Sequence, residues 1–541
     1  MNSLLFFSFI GSLVISMALI PALKAFAARF RFVDVPQERH MHDAPIAKVG
    51  GIAFGVATFA GVLLWAPKDQ LVLSSLLGGA IILLFGVWDD RARLHYLMKF
   101  LGQVLAAAVV IGFAGLRLST VPFLDEVLLS GLVAIPLTLV VIVGMTNAVN
   151  LADGLDGLAG GLSLISFAGI AYLAYLVEEL QLVFLMVAVL GGVLGFLRFN
   201  TYPARIFMGD AGSQFLGHYL AVGAILLTDN TRTAYSPLLA LFLWGVPLLD
   251  TIGVAAQRLA TGRSPFIGDR NHLHYKLLAI GLSHRQAVTV LYATQGLMVS
   301  CAYLLRWQSD FFILAIYGLF ALPILSLFLR SENQVLSLSR NESDTPPAGK
   351  DLGKDEWYVT LPVKLLGLVV PLFLVTGVFV PASVPVDLGY VAIGLFALVL
   401  TGMMVLPAAA PMLIRVGLYV GATFVIYLMQ QPPPGELWSL HAPLNLFFLG
   451  LAVLIMLTIR FGVKERFQTT PLDYLMVFLA FAIPFLPEMH VGDINLSVLT
   501  AKMIVMFLGL ELMLHTLDKR VTQFGLVSLW VFLILGLRAW W

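Results

Sequence analysis

"GLVAIPLTLVVIVGMTNAVNLADGLDGLAGGLSLISFAGIAYLAYL", residues 131–176, decides how this chain is read. Apolar runs near 126–148 and 158–177 are each long enough to cross a bilayer, whose hydrocarbon core of about 30 Å takes ~20 helical residues. Between them lie Asn147, Asn150, Asp153 and Asp156, with glycines interleaved. A carboxylate beside hydrocarbon is costly and needs a partner or a task. Helix capping accounts for one such residue but not for four. Each pair is spaced three apart, so its members share a face wherever the segment is helical.

The same oiliness extends through the whole chain. Of 541 residues 60% are hydrophobic and 12% charged, and mean hydropathy is +0.94. This predicts an all-α, polytopic integral membrane protein. A β-barrel would show short alternating segments instead. The net charge of +1 gives no sign of a nucleic-acid partner, and the lone Cys301 leaves no internal disulfide. The first apolar run, near 4–26, lacks a basic leader and a small-residue cleavage site, so it reads as a retained span.

Further runs near 49–66, 71–88, 97–115, 181–198, 211–228, 236–256, 287–305 and 311–329 bring the first module, residues 1–330, to about eleven spans. A polar stretch rich in Ser, Asp, Pro and Lys follows and reads as a cytoplasmic linker, residues 331–360. Runs near 361–380, 385–406, 411–430, 443–460, 471–487, 499–516 and 522–539 then give about seven spans in a C-terminal module, residues 361–541, with no assigned function. With the N-terminus outside, the inner loops hold Lys24, Arg29, Arg31, Arg91, Arg93, Arg198, Arg205, Arg258, Arg263 and Arg285 among others. The outer loops of the first module hold only Lys68, Arg117, Arg232 and Arg306. That asymmetry places every polar cluster on the cytoplasmic face of an inner (plasma) membrane.

There are five such clusters. Residues 34–51 combine Arg39, His40, His42 and Lys48 with Gly50 and Gly51. They suit an anionic phosphate, or else form a positive-inside loop leading into a small-residue packing face. Asp89 and Asp90 end one span, and Lys99 and Gln103 begin the next. Adjacent carboxylates repel unless a cation compensates them, and Mg²⁺ is the natural candidate; the alternative is an acidic turn paired with Arg91 and Arg93. The opening stretch is the third cluster. In the fourth, "FMGDAGS", Asp210 stands where the chain re-enters the membrane, as a helix cap or a metal ligand. The fifth carries Asp250 inside a span, then Arg258, Arg263, Arg270, His272, His274 and Lys276 in one loop. It reads as a diphosphate-binding loop, since the His-x-His pair lacks further zinc ligands. Together, carboxylates from separate helices and cations from loops form the layout for Mg²⁺-assisted phosphoryl transfer.

These five motifs, in order over roughly residues 1–330, resemble those of the polyprenyl-phosphate N-acetylhexosamine-1-phosphate transferases. The resemblance implies transfer of a sugar-1-phosphate from a UDP-N-acetylhexosamine to undecaprenyl phosphate, releasing UMP, with Mg²⁺. It implies Asp210 as the main magnesium ligand and Asn150 as a second, and Asp89 and Asp90 as the paired catalytic aspartates, with Lys99 as the phosphate-binding lysine. Asp153 and Asp156 would serve the nucleotide-sugar site, Asp156 near the uracil, and Arg270, His272 and His274 would contact the diphosphate or sugar. Lys48 and Asn147 complete the expected substrate-binding set, and a homodimer is an expected assembly. "DRNHLHYKL" looks more like the GlcNAc-1-phosphate branch than the phospho-MurNAc-pentapeptide translocases, which carry three consecutive histidines; Tyr275 stands where a second adjacent histidine is usual. The competing expectations are a translocase-like transferase, a polytopic lipid or sugar transporter, and an assembly scaffold.

Overall fold

Apolar runs this long fold as helices because hydrocarbon satisfies no backbone hydrogen bond. The structure, a computed structural model, describes residues 2–27, 29–30, 32–34, 45–229, 231–262, 264, 271–329, 357–381, 383–405, 410–430, 441–461, 490–491, 494–516 and 521–540. The chain divides into two compact units, Met1–Ser343 and Asp344–Trp541.

In the first unit the helices are α1 (Asn2–Ala27), α2 (Gly50–Trp65), α3 (Gln70–Ala92), α4 (Tyr96–Ala114), α5 (Gly131–Ala152), α6 (Leu158–Leu176), α7 (Leu180–Asn200), α8 (Gly209–Leu227), α9 (Leu239–Ala260), α10 (Leu273–Ala279), α11 (His284–Leu304) and α12 (Asp310–Leu329). All but the seven-residue α10 correspond to expected spans. Nine are long and apolar enough to cross a membrane. The other two differ for separate reasons: α2 has only 16 residues, and α8 is diluted by Asp210, Ser213, Gln214 and His218. Polar as it is, α8 is buried along almost its whole length, packed among α2, α3, α5 and α6. Its approach to α2 and α3 is so close that a Cβ on Gly51 would run into the Gly212 backbone, and one on Gly86 into Ala211. Gly51 is thus accounted for by small-residue packing, the second of its two expected readings.

Short strands, too brief to show an alternating pattern, tie the loops together. β1 (Val33–Asp34) pairs antiparallel with β2 (Ile46–Lys48), which pairs parallel with the later Ile206–Phe207. At a separate ribbon, β3 (Thr120–Val121) pairs antiparallel with β4 (Leu124–Leu128). The Ile206–Phe207 strand, β5, sets Lys48 level with Phe207, three residues before Asp210. The chain of α9 breaks at Gly245, whose φ of 39° lies in the left-handed region. Buried Gln295 of α11 accepts the freed Val246 N–H at 2.8 Å and donates to Ser166 Oγ at 2.9 Å. The break re-aims the C-terminal half of α9, which carries Asp250.

The described helices of the second unit are Trp357–Gly377, Val386–Val405, Ala410–Met429, His441–Phe461, Leu496–Thr516 and Val521–Arg538. Val386–Val405 is long and apolar enough to span. The expected run near 471–487 lies outside the described residues.

Candidate active site at the joined ends of the helices

Successive residues on an α-helix point about 100° apart, so Asp89 and Asp90 at the end of α3 face different neighbours. Asp90 turns to α8, where its two carboxylate oxygens accept the backbone N–H groups of Asp210 and Ala211 at 2.9 and 3.0 Å. It is a long-range cap on a helix whose start has no side-chain cap of its own. Asp89, 2% exposed, turns to α4. One oxygen accepts from Leu94 N at 2.8 Å and the other pairs with Lys99 Nζ at 2.5 Å. Lys99 also lies 3.6 Å from Asp210 Oδ2, and the side chains of Lys99 and Asp210 remain about a third exposed. The adjacent aspartates are therefore held apart by protein donors, and the reachable groups are Lys99 and Asp210.

The third motif completes this cluster from α5. Asn150 Nδ2 donates to Asp210 Oδ1 at 2.8 Å and to Ser213 Oγ at 2.7 Å, and among the described residues its side-chain oxygen has no hydrogen-bond partner. Asn147, one turn earlier, is tied into an amide network: it donates to Gln103 Oε1 at 2.8 Å and to Val143 O, while Gln103 donates to Gln214 Oε1 at 3.1 Å. Asp153, just beyond the α5 span, donates its backbone N–H to Asn150 O at 3.3 Å, and its carboxylate makes no hydrogen bond among the described residues. Burial, then the charges of Asp210, Asp156 and Asp90, push its carboxyl up to about 7, with Lys48 opposing. Lys48 itself pairs with Asp34 at 3.0 Å across the β1–β2 ribbon.

The glycines of the opening stretch are spaces for side chains arriving from later in the chain. A Cβ on Gly154 would strike the His274 ring, and one on Gly161 would strike the hydroxyl of Tyr292. Tyr292 Oη donates to Gly157 O at 2.6 Å, and Gly157 N donates to Asn200 Oδ1 at 3.0 Å. Asp156 accepts from Ala204 N at 2.9 Å, and its backbone oxygen lies 3.4 Å from His284 Nε2. The turn carrying Asp153 and Asp156 is thus clamped from α7, the 201–205 turn and α11.

The fifth motif closes over this turn. Buried Asp250 receives Leu273 N at 2.6 Å, and its other oxygen meets His272 Nδ1 at 2.8 Å, so one carboxylate both starts α10 and orients the histidine. His274 stacks on His272 with ring centroids 5.8 Å apart and an interplanar angle of 5°. Burial holds His274 down to about 4, so it is neutral near pH 7. Arg270, Arg39, His40 and His42 lie outside the described residues. The sequence reading passed over Gln214, Asn200, Tyr292 and His284. Gln214 had a signal: it falls four residues after Asp210, as Gln103 does after Lys99, giving paired polar positions on apolar helices.

The donor set suits a hard divalent cation. Asp210, Asp153 and the Asn150 amide are all oxygen donors, and the charges of Asp210, Asp156 and Asp90 add to the burial that raises the Asp153 carboxyl. No group of three His, Cys, Asp or Glu side chains forms a metal cage among the described residues.

Comparisons with known proteins bear on the same stretch. Residues 72–228, from α3 to the end of α8, match the model of glycosyl transferase family 4. A Bacillus subtilis protein named "probable undecaprenyl-phosphate N-acetylglucosaminyl 1-phosphate transferase" is 37% identical over 319 residues, covering 57% of this chain and 89% of its own. A decaprenyl-phosphate N-acetylglucosaminephosphotransferase of Mycobacterium leprae is 36% identical, over 50% of this chain and 76% of its own. The undecaprenyl-phosphate alpha-N-acetylglucosaminyl 1-phosphate transferase of Escherichia coli K12 is 30% identical, over 52% and 78%. The chain therefore belongs to glycosyl transferase family 4, in the N-acetylglucosaminyl-1-phosphate transferase branch of the polyprenyl-phosphate transferases, and is a membrane-bound sugar-phosphate transferase enzyme.

Proposed function

We propose that this enzyme transfers N-acetylhexosamine-1-phosphate, with GlcNAc as the first candidate, from a UDP-sugar to undecaprenyl phosphate. The products are polyprenyl-diphosphate-sugar and UMP, at the cytoplasmic face of the plasma membrane and as the first membrane step of an envelope glycan. The observation that carries the proposal is the linked set Asp89–Lys99–Asp210–Asn150, drawn from α3, α4, α8 and α5 and open to solvent at Lys99 and Asp210.

An oxygen of the lipid phosphate forms a bond to the sugar-linked β-phosphorus. The bond from that phosphorus to the bridging oxygen breaks, and UMP leaves with the bridging oxygen. A phosphate dianion is already a competent nucleophile, so no general base is required. This matters because Asp90 is committed to the α8 backbone and Asp89 to Lys99 and Leu94. Asp89 then acts as a positioning residue, holding the Lys99 ammonium toward the reacting phosphates. Lys48 adds a second cation beside the start of α8. Asp210, with Asp153 and the Asn150 oxygen, would hold Mg²⁺, which when bound neutralises the diphosphate and stabilises the charge that develops on the leaving group. The clamped 153–157 turn and the neutral His274 would present the donor, with Asp156 spending one oxygen on Ala204 to fix that turn.

The test is UMP release by purified protein supplied with undecaprenyl phosphate and a panel of UDP-sugars, with and without chelator. UDP-GlcNAc should be used, and UDP-MurNAc-pentapeptide should not. Turnover that persists at full rate under chelation would remove magnesium from the proposal, and release only with the pentapeptide donor would move the enzyme to the translocase branch.

A further inference from the structure

Lys99, Asn150 and Asp210 each have an amide one turn further into their own helix. Gln103 follows Lys99 on α4, Gln214 follows Asp210 on α8, and Asn147 precedes Asn150 on α5. Spacings of three and four residues put both members of each pair on one helix face. The three inner amides meet. Asn147 Nδ2 donates to Gln103 Oε1 at 2.8 Å, and Gln103 Nε2 donates to Asn147 Oδ1 at 3.3 Å and to Gln214 Oε1 at 3.1 Å. Gln103 and Gln214 are buried. Asn147, expected from its motif to bind substrate, has both ends of its side chain engaged here, since it also donates to Val143 O at 2.8 Å.

The helix that depends most on this layer is α4, which carries Lys99. Its buried face is a narrow stripe of Gly102, Gln103, Ala106, Ala107 and Val110. Gly102 packs on Phe85 of α3, and Ala106 and Val110 lie against Gly78 of the same helix. Apolar contacts are non-directional, so a stripe of small residues does little to stop a helix turning or sliding. A hydrogen bond is directional, and inside a bilayer no water replaces it. Gln103 is the one side chain of the stripe able to make such bonds, and it makes them across to α5 and α8. Phosphoryl transfer is sensitive to this placement, because a shift of about 1 Å costs on the order of 100-fold in rate.

We infer that Gln103, bonded to Asn147 and Gln214, is a positioning residue that holds Lys99 in register with Asn150 and Asp210 for the transfer step. The inference rests on the reaction proposed above. It assigns Asn147 to alignment instead of substrate contact.

The full-length protein is assayed for UMP release with undecaprenyl phosphate and whichever UDP-sugar the wild type uses, and thermal unfolding is recorded for each variant. Gln103→Leu should lower kcat ~30-fold and move the KM for the UDP-sugar by less than about 2-fold, because the side chain touches no substrate. Replacing Gln103, Asn147 and Gln214 together by Leu leaves none of the three amides unpaired. This triple variant should unfold no lower than Gln103→Leu yet turn over as slowly, which separates alignment from stability. Gln103→Asn combined with Asn147→Gln exchanges the two side-chain lengths, and should recover part of the kcat lost in Gln103→Asn alone. A folded Gln103→Leu with wild-type kcat overturns the inference, as does a triple variant that regains the wild-type rate. A raised KM for the UDP-sugar in Asn147→Leu but not in Gln103→Leu returns Asn147 to substrate binding and overturns its place in the layer. Where Gln103→Leu does not fold, the exchanged pair decides: a rate no better than that of Gln103→Asn overturns the layer. A wild type that releases UMP from no UDP-sugar sinks the proposed reaction itself, and the alignment role falls with it.

Discussion

Around Asp210, the described residues gather the carboxylates of Asp89, Asp90, Asp153 and Asp156 with the cations Lys48 and Lys99, whereas Lys502, in the helix Leu496–Thr516 of the second unit, has among the described residues the amide of Gln430 as its partner. Among the described residues the first region is richer in carboxylates than in cations, and the second sets one cation against a neutral acceptor. Charge left uncompensated in a low-dielectric setting is costly, so a cluster of carboxylates favours a cation. The Mg²⁺ of the proposed reaction would supply it in the first region. Burial separates the two further. Lys99 and Asp210 are reachable from water, as a soluble nucleotide-sugar requires, while Lys502 is closed off from it.

The sharpest way to break this contrast is Asp210→Ala. UMP release should fall ~1000-fold, since the metal-holding oxygen is lost at the point where charge develops, and extra Mg²⁺ should recover little of it. Lys502→Gln assayed alongside should stay near the wild-type rate. A common loss in both variants would mean that the second unit takes part in the transfer. Asp90→Ala comes next, at ~100-fold. Among the described residues its carboxylate accepts only backbone N–H groups, so the damage should show in two readouts. Thermal unfolding should lose about 1–2 kcal/mol, as for a deleted helix cap, and activity should fall because Asp210 is no longer aimed. Asp90→Asn, which keeps one acceptor oxygen, should recover part of both. A variant with full stability and no activity would instead make Asp90 a chemical participant.

How much of this was legible in the chain differs by level. The helical membrane fold was, because length and apolarity of a run are local properties that hydrocarbon enforces. The site's membership was partly legible as well: Asp210, Lys99 and Asn150 stand out as polar residues at the ends of apolar runs. What each one touches was not. Nothing local distinguishes Asp89 from Asp90, and only the packing of α3 between α4 and α8 gives one a lysine and the other a helix start. The glycines were open to more than one reading for a related reason. Gly51 looks like a phosphate-approach residue until Gly212 is found against it, and Gly154 and Gly161 make sense only once His274 and Tyr292, more than a hundred residues later, fill the spaces. Polarity at Gln214 and Lys502 was visible but diluted, since a single polar residue does little to the average of a long apolar window.

Gly154→Ala tests the long-range part of that account. The added methyl would push against the His274 ring and shift the turn that carries Asp153 and Asp156. Since the reacting groups on α3, α4 and α8 are untouched, the KM for the UDP-sugar should rise ~10-fold while kcat moves little. A fall in kcat with KM unchanged would place this turn in the chemistry rather than in donor binding.

The smallest expected effect concerns protons, and it probes the negative excess directly. The Asp153 carboxyl is raised from the usual 3.8 to about 7, first by burial and then by Asp210, Asp156 and Asp90. The metal-free folded protein therefore binds this proton more tightly than the unfolded chain does. Between about pH 4 and pH 7 the folded state carries more protons, so raising the pH through that window removes stability. A bound cation reverses the preference by favouring the carboxylate, so protons and Mg²⁺ compete for the same cluster. The Mg²⁺ concentration for half-maximal UMP release should accordingly be ~5-fold higher at about pH 6 than at about pH 8. Asp153→Asn should flatten that dependence, because the amide has no proton to exchange. No counterpart is expected at Lys502, whose substitution should leave the Mg²⁺ requirement the same at both pH values. A wild-type requirement independent of pH would mean that Asp153 does not share the cation with Asp210, and the excess charge at this end of the bundle would then need another explanation.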